Sequence, residues 1–137
     1  FDEGLAAAKK DGKPILLDFY ADWCKYCKLL DKETFVDPAV KSRLSKDWVG
    51  IRIDSEDKNA KATFEGKTYS HSELMQLFGV RGFPTLLFFD KKGEPVEPYT
   101  TYINYVPAKP FAPLLDYFRD ELYRDKVDIN EYIKSKI

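Results

Sequence analysis

Leu17-Asp18-Phe19-Tyr20-Ala21-Asp22-Trp23-Cys24-Lys25-Tyr26-Cys27-Lys28 is the stretch on which the fold turns. Its first residues extend Pro14-Ile15-Leu16 into a nearly unbroken apolar run, the pattern of a strand covered on both faces. Asp18 is the only charge within that run. From Ala21 the period becomes helical, with Leu29 and Leu30 apolar and Lys25, Lys28 and Lys32 polar. Both cysteines of the chain, Cys24 and Cys27, fall where strand passes into helix, and a C-x-x-C pair in that setting reads as a dithiol redox centre. Cys24 is expected at the helix N-terminus, where unpaired N–H groups and the positive dipole end favour a thiolate, with Lys25 and Lys28 adding positive charge. Cys27 follows one turn later, within disulfide reach. Thiol–disulfide exchange then uses an exposed Cys24 as nucleophile and Cys27 as the residue that resolves the mixed disulfide. Two inert core cysteines, or half of a zinc site, are the alternatives. Zinc needs further ligands, and His71, the one histidine, reads as an ordinary surface residue in a helix cap.

Outward from this centre, residues 2–12 form an opening helix that stops at Asp11-Gly12. Asp37-Pro38 supplies an N-cap and a first-turn proline for a helix to about Lys46, and Trp48 to Asp54 alternates as a second strand. Residues 55–70 are polar and irregular, with a small hairpin around Phe64-Glu65-Gly66-Lys67, where Gly66 supplies a positive φ. Ser70 to Glu73 forms a capping box for a helix ending at Gly79. Pro84 to Phe89 is a third apolar strand, Asp90 to Gly93 a turn, and Val96 to Ile103 its antiparallel partner. Helices follow at about Phe111 to Leu122 and, capped by Asp128, through Ile137. Alternating strands and helices with a late hairpin predict an α/β fold: a mixed central sheet flanked by helices, with an insertion after the second main strand and a short C-terminal helix.

The chain of 137 residues is expected to be a single domain, residues 1–137. An apolar fraction of 44%, with 15% aromatics, supplies a core and argues against disorder. Lys and Arg number 22 against 23 Asp and Glu, a balance that gives no footprint for nucleic acid or anionic lipid. Apolar runs of about six residues are far short of the roughly 20 of a membrane helix. Two adjacent cysteines cannot staple a disulfide scaffold.

The segment Leu17 to Lys28 resembles the active-site segment of the thioredoxin family. Gly79-Val80-Arg81-Gly82-Phe83-Pro84-Thr85 is similar to that family's cis-proline segment, and Phe88 to Gly93 to the strand and turn after it. The resemblance implies a thioredoxin fold, a cis Pro84 facing the dithiol, and Phe83 presenting backbone to an extended substrate strand as in β-augmentation. A plain strand-initiating proline is the other reading. Asp18, six residues before Cys24, stands where the family has a buried carboxylate. Its pKa is expected to rise with burial, so that it takes the proton of Cys27 as that thiol attacks; an inert sheet-edge carboxylate is the alternative. The lysine that often partners this carboxylate falls at Gly50, and Arg52 lies two further on, on the same face by strand parity. Trp23, Lys25, Tyr26, Phe83 and Pro84 are the expected substrate contacts. Tyr105 extends the aromatic rim, core packing being the other reading of Trp23, Tyr26, Phe83 and Tyr105. Asn104 takes a turn position where relatives carry glycine.

Thr34 to Val40 resembles exported members, such as the C-terminal domain of the thiol:disulfide interchange protein. The insertion and the ending are most similar to periplasmic thioredoxin-like proteins of bacterial sulfur-oxidation operons. These likenesses imply a periplasmic or otherwise exported protein, and the sequence, opening at Phe1 without a signal peptide, is expected to be a mature form. They also imply a monomer that reduces protein disulfides, draws electrons from a membrane thiol transporter, and holds no cofactor or metal. An isomerase or oxidant on the same fold, a peptide-binding module and a Cu(I) carrier are the alternatives.

Overall fold

In the computed structural model, which describes residues 1–96, 102–103 and 105–137, the apolar run forms strand β1 (Ile15–Tyr20). Helix α1 (Asp2–Asp11) precedes it and closes on Gly12, whose φ of 64° is the left-handed conformation that glycine adopts without a Cβ penalty. After β1 come α2 (Lys25–Leu29), which runs directly into a π turn (Leu30–Thr34), then α3 (Pro38–Asp47) and β2 (Val49–Asp54). The insertion is a hairpin of β3 (Lys61–Phe64) and β4 (Lys67–Ser70). Helix α4 (His71–Phe78), strand β5 (Thr85–Phe89), the short β6 (Tyr102–Ile103), α5 (Ala108–Arg119), a 3-10 turn (Leu122–Asp125) and α6 (Ile129–Lys136) complete the order.

The main sheet has the order β2-β1-β5-β6. β1 lies parallel to β2 and antiparallel to β5. Alternate residues of β1 divide the core in two. Ile15, Leu17 and Phe19 pack with Leu5 and Ala8 of α1, Ala62 and Phe64 of the hairpin, and Leu74 of α4. Leu16 faces the other way, with Leu86 and Phe88 of β5, Val40 of α3, and Phe111, Leu115 and Phe118 of α5. Strand parity puts Asp18 on the Leu16 face, and register puts it opposite Arg52 of β2 and Leu86 of β5.

The local signals act as expected where the chemistry is local. Asp37 Oδ2 accepts from the N–H groups of Ala39 and Val40 at 3.1 and 3.3 Å, and Ser70 and Glu73 form a reciprocal capping box. The hairpin turns through Glu65 and Gly66, both at positive φ. Several boundaries differ. The helix read from about Phe111 to Leu122 runs from Ala108 to Arg119, and Leu122 opens a separate 3-10 turn. The helix read from Ala21 begins at Lys25, because Asp22 and Trp23 make a turn and Cys24 is the N-cap. Of the strand read from Val96 to Ile103, Tyr102 and Ile103 pair with β5, Pro95 bridges to Phe89, and residues 97–101 lie outside the described residues, as does Asn104.

Candidate active site

After the turn at Asp22 and Trp23, Cys24 takes the extended backbone of an N-cap (φ −78°, ψ 110°) and opens the helix. Its Sγ accepts from the Cys27 N–H at 3.1 Å, so the sulfur itself fills the role that Ser or Asp takes in an ordinary N-cap. The same geometry places both Cα atoms 5.3 Å apart, and the two residues are joined as a disulfide. The sequence reading expects an exposed Cys24. Instead, both cysteines are only 4% exposed, because Ala21, Tyr20 and Phe83 pack around the bridge.

Around this flush disulfide the aromatic side chains divide by accessibility. Trp23 is 68% and Tyr26 54% exposed, unusual for rings of this size. Trp23 meets Phe83 edge to face at a centroid distance of 5.9 Å, and Tyr26 lies 6.4 Å from Tyr105, whose hydroxyl donates to Glu33 at 2.9 Å. The Phe83–Pro84 peptide bond is cis, and Thr85 Oγ1 donates to Gly82 O at 2.5 Å across it. Trp23, Lys25 and Lys28 line one cleft beside the cysteines together with Leu29 and Lys32.

Asp18 is buried at 5% exposure. Burial pushes its pKa up to about 7, against the opposing pull of Arg52 and with a smaller contribution from Asp31. Arg52 Nε lies 3.6 Å from Asp18 Oδ2, and Asp18 Oδ1 is buried without a hydrogen-bond partner. Arg52 therefore does reach Asp18. Gly50, where the resemblance expects a lysine, contributes no side chain and helps line a cleft of about 260 Å³ with Leu16, Asp18, Phe35, Leu44, Ile51 and Arg52.

A second expectation, beside the exposure of Cys24, is corrected. His71 is not a surface residue: it is 8% exposed, and its Nδ1 lies 2.7 Å from the Asp54 carbonyl, tying α4 to the end of β2. Its position in a capping box described the backbone and said nothing of the ring. Sequence reasoning also missed Asp31, which pairs with Arg52 at 2.9 Å. Asp31 lies on the π turn and its partner on β2, so spacing along the helix gave no sign of the pair.

A C-x-x-C disulfide at the junction of a central strand and its helix, on this sheet order, defines the molecule as a thioredoxin-fold protein of disulfide-oxidoreductase type. The chain belongs to the thioredoxin-like domain family, which matches residues 1–119. The thiol:disulfide interchange protein DsbD of Vibrio vulnificus is 40% identical over 107 residues, covering 78% of this chain and 16% of that protein. The protein of the same name from Actinobacillus pleuropneumoniae is 41% identical over 92 residues, 67% of this chain and 14% of its own length. The chain thus spans about a sixth of the length of these curated relatives. Among solved structures, a thioredoxin-fold protein from Helicobacter pylori superposes with a TM-score of 0.79 at 20% identity, over 98% of this chain and 96% of the other. The C-terminal domain of Neisseria meningitidis DsbD in its reduced form gives a TM-score of 0.62 at 22% identity, over 84% and 90%. At these identities the structures speak for the fold alone.

Proposed function

We propose that the whole chain, as one domain, reduces disulfides of protein substrates in the periplasm, with Cys24 as nucleophile, Cys27 as resolving thiol and Asp18 as base. The observation that carries this reading is the pairing of a cysteine N-cap with a buried carboxylate on the strand behind it. The Cys24 thiolate attacks one sulfur of the substrate disulfide; that S–S bond breaks, and the first substrate thiolate leaves with its electron pair. Ionised Asp18 then takes the Cys27 proton, and the Cys27 sulfur attacks Cys24. The Cys24–substrate bond breaks, the Cys24–Cys27 disulfide forms, and the second substrate thiolate leaves and is protonated. Two electrons pass from the dithiol to the substrate, and no bound cofactor is required.

Trp23, Lys25 and Tyr26 flank the approach to Cys24, while Phe83 and Pro84 offer backbone to an extended substrate segment. The 40% identity to proteins named for thiol:disulfide interchange supports exchange chemistry at this dithiol; the reductive direction, the periplasmic setting and recharging by a membrane thiol transporter are part of the proposal. Among the described residues no helix is long and apolar enough to cross a membrane. The proposed working form is a monomer.

Cys27→Ser tests the assignment. With a disulfide-bearing protein such as insulin, the variant is expected to accumulate a mixed disulfide at Cys24, detected by mass spectrometry and reversed by dithiothreitol. Accumulation in Cys24→Ser instead, or in neither variant, contradicts the assignment of nucleophile and resolving thiol.

A further inference from the structure

Residues 25–34 of α2 and the π turn carry five charges, and the fold sorts them by sign. Lys25, Lys28 and Lys32 recur at i, i+3 and i+7, so they form one stripe with Leu29. The two acids of the same run are engaged elsewhere. Asp31 accepts from Arg52 Nη2 at 2.9 Å, and Glu33 accepts from the Tyr105 hydroxyl at 2.9 Å. Among the described residues none of the three lysines pairs with a carboxylate. With Leu29 and the exposed ring of Trp23 they line a cleft of about 340 Å³ that has no acid in its wall. Asp22 stands with Lys28 on the neighbouring cleft that Cys27 lines, and makes no ion pair with it.

We propose that this stripe is a docking surface for an acidic segment of the protein substrate: carboxylates beside the substrate disulfide settle on Lys25, Lys28 and Lys32, while an apolar neighbour lies on Trp23 and Leu29. The whole chain is close to neutral, with 22 Lys and Arg against 23 Asp and Glu, so the patch is local and belongs to the approach to Cys24. Three like charges on one helical face repel one another, and a segment that brings carboxylates relieves that repulsion. Three lysines are too short a track for a nucleic acid, whose grip draws on about 6–10 phosphate contacts. The inference names the substrate class for the reduction proposed above and rests on that reading for its kinetic half only. Charge complementarity acts chiefly on encounter, so acidic substrates react faster and added salt removes the advantage. Each exposed pair is weak alone, so the preference needs several acting together.

Three peptides that share one internal disulfide and carry Glu, Gln or Lys on either side of it test the surface. Single-turnover reduction by the reduced full chain, each rate divided by that with dithiothreitol, is expected to fall in the order Glu, Gln, Lys. The Glu-to-Lys ratio is about tenfold at low salt and below about threefold in about 0.5 M salt. Lys25→Gln, Lys28→Gln and Lys32→Gln combined bring it below about twofold at low salt. Lys10→Gln, Lys46→Gln and Lys134→Gln combined remove the same charge from exposed lysines outside the cleft and keep the ratio. A change in the reactivity of Cys24 scales all three peptides alike, so the ratio reports docking.

Binding is read separately, by titrating the same peptides with serine in place of cysteine into the full oxidised chain. The amide signals of residues 25–32 are expected to shift with the Glu peptide at several-fold lower concentration than with the Lys peptide. A Glu-to-Lys affinity ratio within about twofold, or a rate preference that survives neutralisation of the three lysines, overturns the proposal. Sedimentation of the chain with phosphatidylglycerol vesicles, without a preference among peptides, assigns the stripe to a lipid surface and overturns it as well. Selective binding of the Glu peptide with no reduction of any disulfide peptide contradicts the reductase reading alone and upholds the docking surface.

Discussion

Asp18 costs the fold something that its neighbours in β1 do not. Its carboxyl is raised from the ordinary 3.8 to about 7, chiefly because burial disfavours the charged form. Between those values the folded state holds a proton that the unfolded state has lost, so stability falls as pH rises. The contribution is complete below about pH 4 and gone above about pH 7, a span worth about 4 kcal/mol. Asp18→Asn, uncharged at every pH, is expected to gain about 3 kcal/mol on the wild type between pH 5 and 8, measured by denaturant unfolding of the oxidised proteins. Parallel pH dependences in the two proteins would contradict this. At this scale the sequence is informative where a residue breaks a pattern. Asp18 stands out in an apolar strand, and Cys24 and Cys27 stand out at its end. Arg52 follows from strand parity. Asp31 does not, because its meeting with Arg52 depends on how a π turn aims a helix at a strand, and spacing along one chain carries no such information. His71 shows the same limit, since a cap motif fixes a backbone N–H and leaves the ring free to turn inward.

Secondary-structure elements were legible through their ends more than their middles. Asp37-Pro38, Ser70 to Glu73, Gly79 and Asp128 all act locally, and each lies at the helix terminus that its chemistry demands. The π turn at Leu30–Thr34 has no comparable signal; it shows in the Phe35 N–H bonding to Leu30 O at 2.8 Å. It delivers Thr34, fully buried, to the Val106 carbonyl at 2.7 Å, tying the helix of the active site to the approach to α5. The closing segment is tied down from α5. Tyr117 is fully buried and its hydroxyl donates to the Val127 carbonyl at 2.6 Å, while its ring lies 5.8 Å from that of Tyr132 on α6. Tyr117→Phe leaves a carbonyl without this donor and keeps the ring packing, so a loss of about 1 kcal/mol is expected in urea unfolding. Hydrogen exchange should quicken in residues 126–137 before it does in β1. A change confined to β1 would place the hydroxyl's effect elsewhere.

For the molecule as a whole, the thioredoxin-like match covers residues 1–119, so the 3-10 turn and α6 lie beyond it. The hairpin β3–β4 lies within the match and covers one side of the core through Ala62 and Phe64. Helix α6 packs on the other side of the core through Ile129. The fold class and the dithiol were legible because a C-x-x-C between strand and helix is a rare and specific arrangement. Redox direction was not, because it depends on the relative stability of dithiol and disulfide, a difference of a few kcal/mol spread over many contacts. Comparable couples span about −270 to −120 mV. Titrating the Cys24/Cys27 couple of the full chain against dithiothreitol, while following turnover of a protein disulfide, therefore tests the reductase assignment most directly. A midpoint near the −270 mV end, roughly, with catalytic turnover is predicted; a midpoint near about −120 mV, or a reducing couple that turns over no protein disulfide, would contradict it.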